Sequence, residues 1–331
     1  MAEGPAAEGP AADEPAGRSA ILVARNLERR FDGHGRDGGI VAVDGVSFEI
    51  GACETLGLIG ESGCGKTTTA KLLLGLDKPT GGSVLHHGRD VASLDREGRR
   101  TYRRSVQAVF QDPQSSLNPR MRVGAIVREP LVAAGGTPRA EVRARVAETL
   151  ERVGLEADAA HRFPHQFSGG QRQRIAIARA LAMRPELAVL DEPVASLDVS
   201  VRSQILALLK DLQSQFRMSY LLISHDLATA GHLCDRIAVM YLGRIVETGS
   251  ADEVYDSPRH PFTRELLEAA RFAFADEVDT KRGTADETAV SRPVTGCRFR
   301  TRCPMAEEIC ARVDPQLHAV SPTQQVACHL A

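Results

Sequence analysis

Residues 60–68 read GESGCGKTT and satisfy the pattern G-x-x-x-x-G-K-[ST]. The run follows an apolar segment, ETLGLIG, and opens a helical one, KTTTAKLLLGL, which is the setting in which the pattern cradles phosphate. Gly60, Gly63 and Gly65 let the backbone curl so that its N–H groups and the helix N-terminus face an anion. Glu61, Ser62 and Cys64 fill the turns between them, and Thr68 closes the run. Lys66 brings a positive charge to β- and γ-phosphates, and the Thr67 hydroxyl suits Mg²⁺. A second run, LAVLDEP, delivers Asp191 and Glu192 at the C-terminal end of an apolar strand, where open α/β sheets bind ligands. Asp191 suits the Mg²⁺ shell, and Glu192 suits orienting or deprotonating an attacking water. In FSGGQRQRIAIARAL, residues Ser168, Gly169, Gly170 and Gln171 form a second small-residue helix N-terminus, again an anion site. Two phosphate-binding ends on one chain imply different nucleotides, one bound in cis and one across a dimer interface. Cys64, at a helix N-terminus beside Lys66, is expected to have a lowered thiol pKa and to be attacked by thiol reagents unless Mg-ATP protects it.

These residues need a scaffold of strands alternating with helices. VAVDGVSFEI, ETLGLIG, VQAVF, ELAVLDEP and SYLLISHD read as strands, SVLHHGRDV as a hairpin and AVMYLGRIVETG as a strand pair. Thr137 and Pro138 read as the N-cap and first position of a helix that buries Val142, Val146, Leu150 and Val153 and stops at Gly154. The alternation predicts an α/β fold with a mostly parallel sheet covered on both faces. Residues 1–20, with AEGP twice, predict disorder, and residues 272–292 a linker or loose surface segment.

Composition excludes several classes. Lys plus Arg is 41 and Asp plus Glu 43 over 331 residues, a net charge of −2 that does not fit a general nucleic-acid binder. No run approaches the roughly 18 to 20 apolar residues of a membrane-spanning helix, and the acidic Pro/Gly/Ala start is unlike a signal peptide. Of seven cysteines, Cys297, Cys303, Cys310 and Cys328 crowd the C-terminus with spacing C-x5-C-x6-C-x17-C. In a reducing cytosol such a cluster more often binds metal than forms disulfides, yet no C-x2-C pair marks a zinc ribbon.

Taken together, SGGQ, the phosphate loop and DEP resemble the ATP-binding cassette (ABC) superfamily from about residue 21 to the end. The resemblance implies a P-loop ATPase domain with a RecA-like core, an antiparallel β subdomain and an α-helical subdomain over 21–258, then an extension over 259–331. It also implies that Gln111 in VFQDP contacts Mg²⁺ or water and senses a transmembrane partner. Asp198 in SLD then belongs to the D-loop, His225 in ISHD contacts the γ-phosphate, and Phe31 stacks on adenine. FQDPQSSLNPRMRVGAIVREPL, HQFSGGQRQRIAIARALA and HPFTRELLEAA resemble the oligopeptide and dipeptide importer branch. Membership implies a second ATPase subunit, two permease subunits, an extracytoplasmic solute-binding protein, no nucleic acid, and a place on the cytoplasmic face of a bacterial membrane. Nickel or another small solute is the alternative cargo. A noncatalytic half of a heterodimer is a further alternative, marked by loss of Lys66, Glu192, His225 or SGGQ, all of which are present. Arg120 and Arg122 are either contacts to the membrane subunits or a solvated basic face. Val194–Asp198 reads VASLD, where relatives usually reverse Ala and Ser. The four cysteines and Pro304 match the branch's extension, implying a [4Fe-4S] cluster or a structural Zn²⁺ that staples a tail too short for its own core.

Overall fold

The computed structural model describes residues 19–32, 39–111, 116–275 and 295–331. Strands β1 (Ala20–Phe31) and β2 (Ile40–Gly51) lead into β3 (Thr55–Ile59), buried throughout, and helix α1 (Lys66–Leu73). A hairpin of β4 (Gly81–His86) and β5 (Arg89–Asp90) turns through His87 and Gly88, both at positive φ. Helix α2 (Arg96–Ser105), capped by Asp95 accepting from Gly98 N at 2.7 Å, runs into β6 (Val106–Val109). Three helices follow: α3 (Val123–Ala134), α4 (Arg139–Arg152) and α5 (Gly169–Leu181). The chain then alternates β7 (Leu187–Asp191), α6 (Val199–Phe216), β8 (Ser219–Ser224), α7 (Leu227–Leu233), β9 (Arg236–Tyr241) and β10 (Arg244–Ser250). It closes with α8 (Ala251–Asp256), α9 (Pro261–Ala275), α10 (Glu308–Arg312), β11 (His318–Ala319) and β12 (Gln325–Val326).

Two sheets result. The smaller is antiparallel, ordered β2-β1-β4-β5, and the larger runs β11-β12-β10-β9-β3-β8-β7-β6. Strands β9, β3, β8, β7 and β6 are mutually parallel, so their C-terminal ends open on one side. Burial on both faces explains their unbroken apolar runs: along β8, Tyr220 and Leu222 join one core while Leu221 and Ile223 join the other. One core packs the parallel sheet against the antiparallel sheet and α1, and the other packs it against the helical layer. Among the described residues no helix is long and apolar enough to cross a membrane.

Three expectations change. Helix α4 starts at Arg139 with Pro138, not Thr137, in the cap position. Helix α9 continues to Ala275, through the start of the expected linker, whose remaining residues up to 292 lie outside the described residues, as do 1–18. The tail is also less self-contained than a stapled appendage. Strand β12 pairs with β10 (Glu247 opposite Val326) and so covers what would be the sheet's open edge. Phe299 is 2% exposed, in a cluster with Tyr241 and Phe262 at ring distances of 5.3 and 5.6 Å. Glu247, fully buried on β10, accepts from Arg259 N, His260 N and Gln324 Nε2 at 2.7, 3.0 and 2.8 Å. A carboxylate with three donors can be buried without the penalty of an unpaired charge, and here it stitches α9 and the tail to the sheet.

Candidate active site

The phosphate loop joins β3 to α1 at the open end of the parallel strands. Gly65 sits at φ 113°, and a Cβ there would lie 2.2 Å from the Ala42 carbonyl oxygen, so only glycine fits. Lys66 is buried, and its Nζ donates to the carbonyls of Gly60 and Glu61 at 2.6 and 2.8 Å, holding its charge inside the loop. Ser62, Gly63 and Thr67 are exposed at the mouth, with Thr68 half-buried behind them.

Asp191 ends β7 beside this loop. Burial, then the neighbouring Glu192, push its carboxyl above the usual range, while the Thr67 hydroxyl, Lys66 and Lys71 pull the other way. Its Oδ1 is buried without a hydrogen-bond partner among the described residues. An orphaned carboxylate oxygen next to a threonine hydroxyl is the donor set a Mg²⁺ ion takes.

Glu192 lies one residue on, with its backbone at φ 48° and its N–H donating to Ile223 O at 2.9 Å. That turn brings three separated strand ends together: Gln111 Nε2 donates to Glu192 Oε2 at 2.8 Å, and His225 Nδ1 lies 3.1 Å from Glu192 Oε1. Gln111 follows β6 and His225 follows β8, the flanking parallel neighbours of β7. The group can hold a water against a phosphate in line with a leaving oxygen.

SGGQ lies at the start of α5. Ser168 Oγ accepts from Gln171 N at 3.3 Å and Gln171 Oε1 accepts from Ser168 N at 3.0 Å, a reciprocal cap that leaves the next N–H groups free for an anion. Ser168 and Gly169 are exposed, and among the described residues no hydrogen bond or ion pair joins this end to the chain's own phosphate loop. Asp198, exposed, occupies the N-cap position of α6 without a side-chain hydrogen bond to the helix.

Comparison with known proteins agrees with this geometry. The family described as ABC transporter matches residues 43–195, and the oligopeptide/dipeptide transporter C-terminal region matches 246–310. The oligopeptide transport ATP-binding protein AppF of Bacillus subtilis is 42% identical over 330 residues, covering 95% of this chain and 98% of the relative. The chain belongs to the ABC transporter ATP-binding subunits. The di/tripeptide transport ATP-binding protein DppF of Pseudomonas aeruginosa is 44% identical, covering 94% of this chain and 98% of that protein. Among solved structures, the ATP-binding cassette MJ0796, a dimer in a post-hydrolysis state with ADP and Pi, matches with 31% identity and a TM-score of 0.62, over 70% of this chain and 99% of that one. The cbiO1 subunit of Clostridium perfringens matches with 29% identity and a TM-score of 0.64, over 77% of this chain and 96% of that one.

Within this ABC ATPase, Phe31 ends β1 at 40% exposure with the Arg29 guanidinium 4.6 Å from its ring centroid. Arg120 and Arg122 are both exposed, and Arg122 also donates to His161 O at 3.0 Å and lies over the Phe163 ring. Cys64 contradicts the reactive-thiol expectation. It is 3% exposed, and burial outweighs Lys66 and pushes its pKa up, so the helix terminus does not yield a thiolate.

All four tail cysteines are free thiols. Cys297 N donates to Cys310 O at 2.8 Å. Burial pushes the Cys297 thiol up, against a hydrogen bond from the Phe299 backbone, and Cys310, Cys328 and Cys303 push it further. Cys328 is pushed up by burial and by Cys303 and Cys310. The other three thiols thus act on Cys297, and Cys303 and Cys310 act on Cys328. Among the described residues only His86, His87 and Glu186 bring three candidate ligand atoms within 4.8 Å of one another, so no three of these sulfurs sit that close. Sequence reasoning missed a second feature of this segment: Arg302 forms a paired salt bridge with Glu61 of the phosphate loop. Only the C-x5-C loop carrying three arginines hinted at it.

Proposed function

We propose that this chain is the ATP-hydrolysing subunit that energises a peptide importer, taking oligopeptides or dipeptides through a membrane permease. The convergence of Gln111, Glu192 and His225 from three strand ends carries the hydrolytic reading. The C-terminal region match and the two peptide-transport relatives support the cargo. Phe31 stacks on adenine, the loop 60–68 wraps the phosphates, and Lys66 turns its ammonium from the Gly60 and Glu61 carbonyls to the β- and γ-phosphates. Asp191, Thr67 and Gln111 would hold Mg²⁺, which when bound would screen phosphate charge. Glu192 accepts the proton of the attacking water, Gln111 and His225 fix its carboxylate, and His225 reaches the γ-phosphate. Ser168, Gly169, Gly170, Gln171 and Asp198 meet the nucleotide of a second ATPase subunit, so two ATP molecules are sandwiched per dimer. Most of the acceleration is positioning and charge stabilisation. The dimer sits against two permease subunits at the cytoplasmic face of the membrane and works with an extracytoplasmic solute-binding protein. ATPase activity of the complex in vesicles tests this: a peptide-loaded binding protein is expected to raise turnover several-fold, and stimulation by a nickel-loaded one alone would favour the other cargo.

We further propose that Cys297, Cys303, Cys310 and Cys328 hold a [4Fe-4S] cluster, with a structural Zn²⁺ as the alternative; the support is the presence of four thiols in one short tail. A cluster, when bound, supplies a charged body that four thiolates surround. Anaerobic protein is expected to be brown with about four irons and four sulfides per chain. Colourless protein with about one zinc would refute the cluster.

A further inference from the structure

The six-residue step from Cys297 to Cys303 carries Arg302, which reaches the phosphate loop, Arg298, which reaches the turn beneath it, and Phe299, buried between them. Arg302 meets the phosphate loop as a fork: Nη1 to Glu61 Oε2 and Nη2 to Glu61 Oε1, both at 2.8 Å, across 241 positions of sequence. Its Nη2 also binds Glu265 on α9, so the guanidinium is held from two sides. Glu61 is the residue whose carbonyl accepts from Lys66 Nζ, and that carbonyl also accepts from Cys64 N at 3.3 Å. The side chain that Arg302 grips therefore belongs to the residue that anchors the phosphate-binding lysine. Arg298 makes a parallel connection, donating to Asp44 on β2 and to the Leu242 carbonyl. Leu242 and Gly243 form the turn on which the loop rests: Gly243 N donates to Cys64 O at 2.8 Å, and Asp44 N donates to Gly243 O at 2.9 Å. Between the arginines Phe299 is locked in the core, and Arg302 N and Cys303 N both donate to its carbonyl at 3.0 Å.

We propose that Arg302 is a positioning residue for the phosphate loop, and that through it the occupancy of the four-cysteine centre sets the affinity of the ATP site. The second half rests on the cofactor reading above, and the first does not. An occupied centre fixes Cys297 and Cys303, hence the turn between them and the fork on Glu61. A centre stripped of its group frees that turn and loosens the loop. Linkage is reciprocal, so Mg-ATP in turn slows loss of the group from the thiols.

The test uses the full chain, with Mg-ATP affinity, KM and kcat measured beside iron, sulfide and zinc content and melting temperature. Arg302→Gln is expected to raise KM about tenfold with kcat within about threefold, in the usual range of coupling between sites. Arg302→Lys, which keeps the charge but loses the fork, is expected to fall between the two. Glu61→Gln breaks the same pair from the loop side while leaving the tail intact, and adding it to Arg302→Gln is expected to cost less than the product of the single effects. Stripping the centre with a chelator is expected to weaken Mg-ATP binding in the native protein and to add little in Arg302→Gln. Unchanged KM in both Arg302→Gln and Glu61→Gln overturns the positioning role. Equal weakening by the chelator in native and Arg302→Gln protein, or thiols that hold no metal as isolated, overturns the coupling alone.

Discussion

Glu192 holds a left-handed backbone, φ 48°, that costs a non-glycine residue about 1–3 kcal/mol, and it does so between Gln111 and His225. Glu192 was legible at the end of an apolar run, whereas Gln111 and His225 were legible only through the family resemblance; parallel neighbours place their strand ends side by side. Cys64 was misread for a physical reason: spacing reveals a helix terminus but not the burial that overrides it. His260 had no catalytic pattern and went unremarked, yet it is 2% exposed, and burial, aided by Arg264, pushes its pKa down to about 4. Its Nδ1 accepts from Phe262 N at 3.1 Å, which requires the neutral ring. Because the unfolded residue titrates near 6.5, it binds a proton between pH 6.5 and 4 that the folded one refuses. Stability from this group is complete above about pH 6.5 and declines toward pH 4, by up to about 3 kcal/mol. Urea midpoints at pH 7 and pH 5 are expected to converge in His260→Asn relative to the native protein. An unchanged difference would assign the acid sensitivity to another group.

At the level of elements, α5 keeps a capped, exposed N-terminus with no hydrogen bond to the chain's own phosphate loop among the described residues. A Cβ on Gly169 would meet only Leu197, at 3.7 Å, so a side chain fits the monomer. An aspartate there is favourable to the helix dipole but repels a phosphate brought from a partner. Gly169→Asp is expected to melt within a few degrees of the native protein, to bind ATP, and to lose more than about 100-fold in hydrolysis, a loss of the size seen on removing key charge stabilisation. Retained hydrolysis would show that this terminus does not face the nucleotide. The long parallel strands and the β4–β5 hairpin were legible from apolar runs and turn residues. Strands β11 and β12 were not, since two residues cannot display a period, and β10, the partner of β12, is nearly eighty positions back, a distance that a reading of local pattern does not bridge.

For the whole molecule, the tail finishes the ATPase sheet and shares its core. Phe299 belongs to the tail by sequence and to the Tyr241–Phe262 cluster by packing, so Phe299→Ala should remove a core side chain worth about 3–5 kcal/mol. Calorimetry is expected to show one transition shifted down by several degrees for the entire chain. A separate early transition confined to the tail would mean that it folds apart. The family was legible in the phosphate loop, SGGQ and DEP, and the branch in the flanking runs. The Arg302–Glu61 pair was not, because an ion pair between distant segments leaves no mark in either one. The most direct measurement of the hydrolytic reading is Mg-ATP turnover and sedimentation of Glu192→Gln beside the native protein. Turnover is expected to fall at least about 100-fold, the usual contribution of a general base, with ATP bound and the protein held as a dimer carrying two ATP. Turnover within a few-fold of native, or a monomer that keeps its ATP, would contradict it.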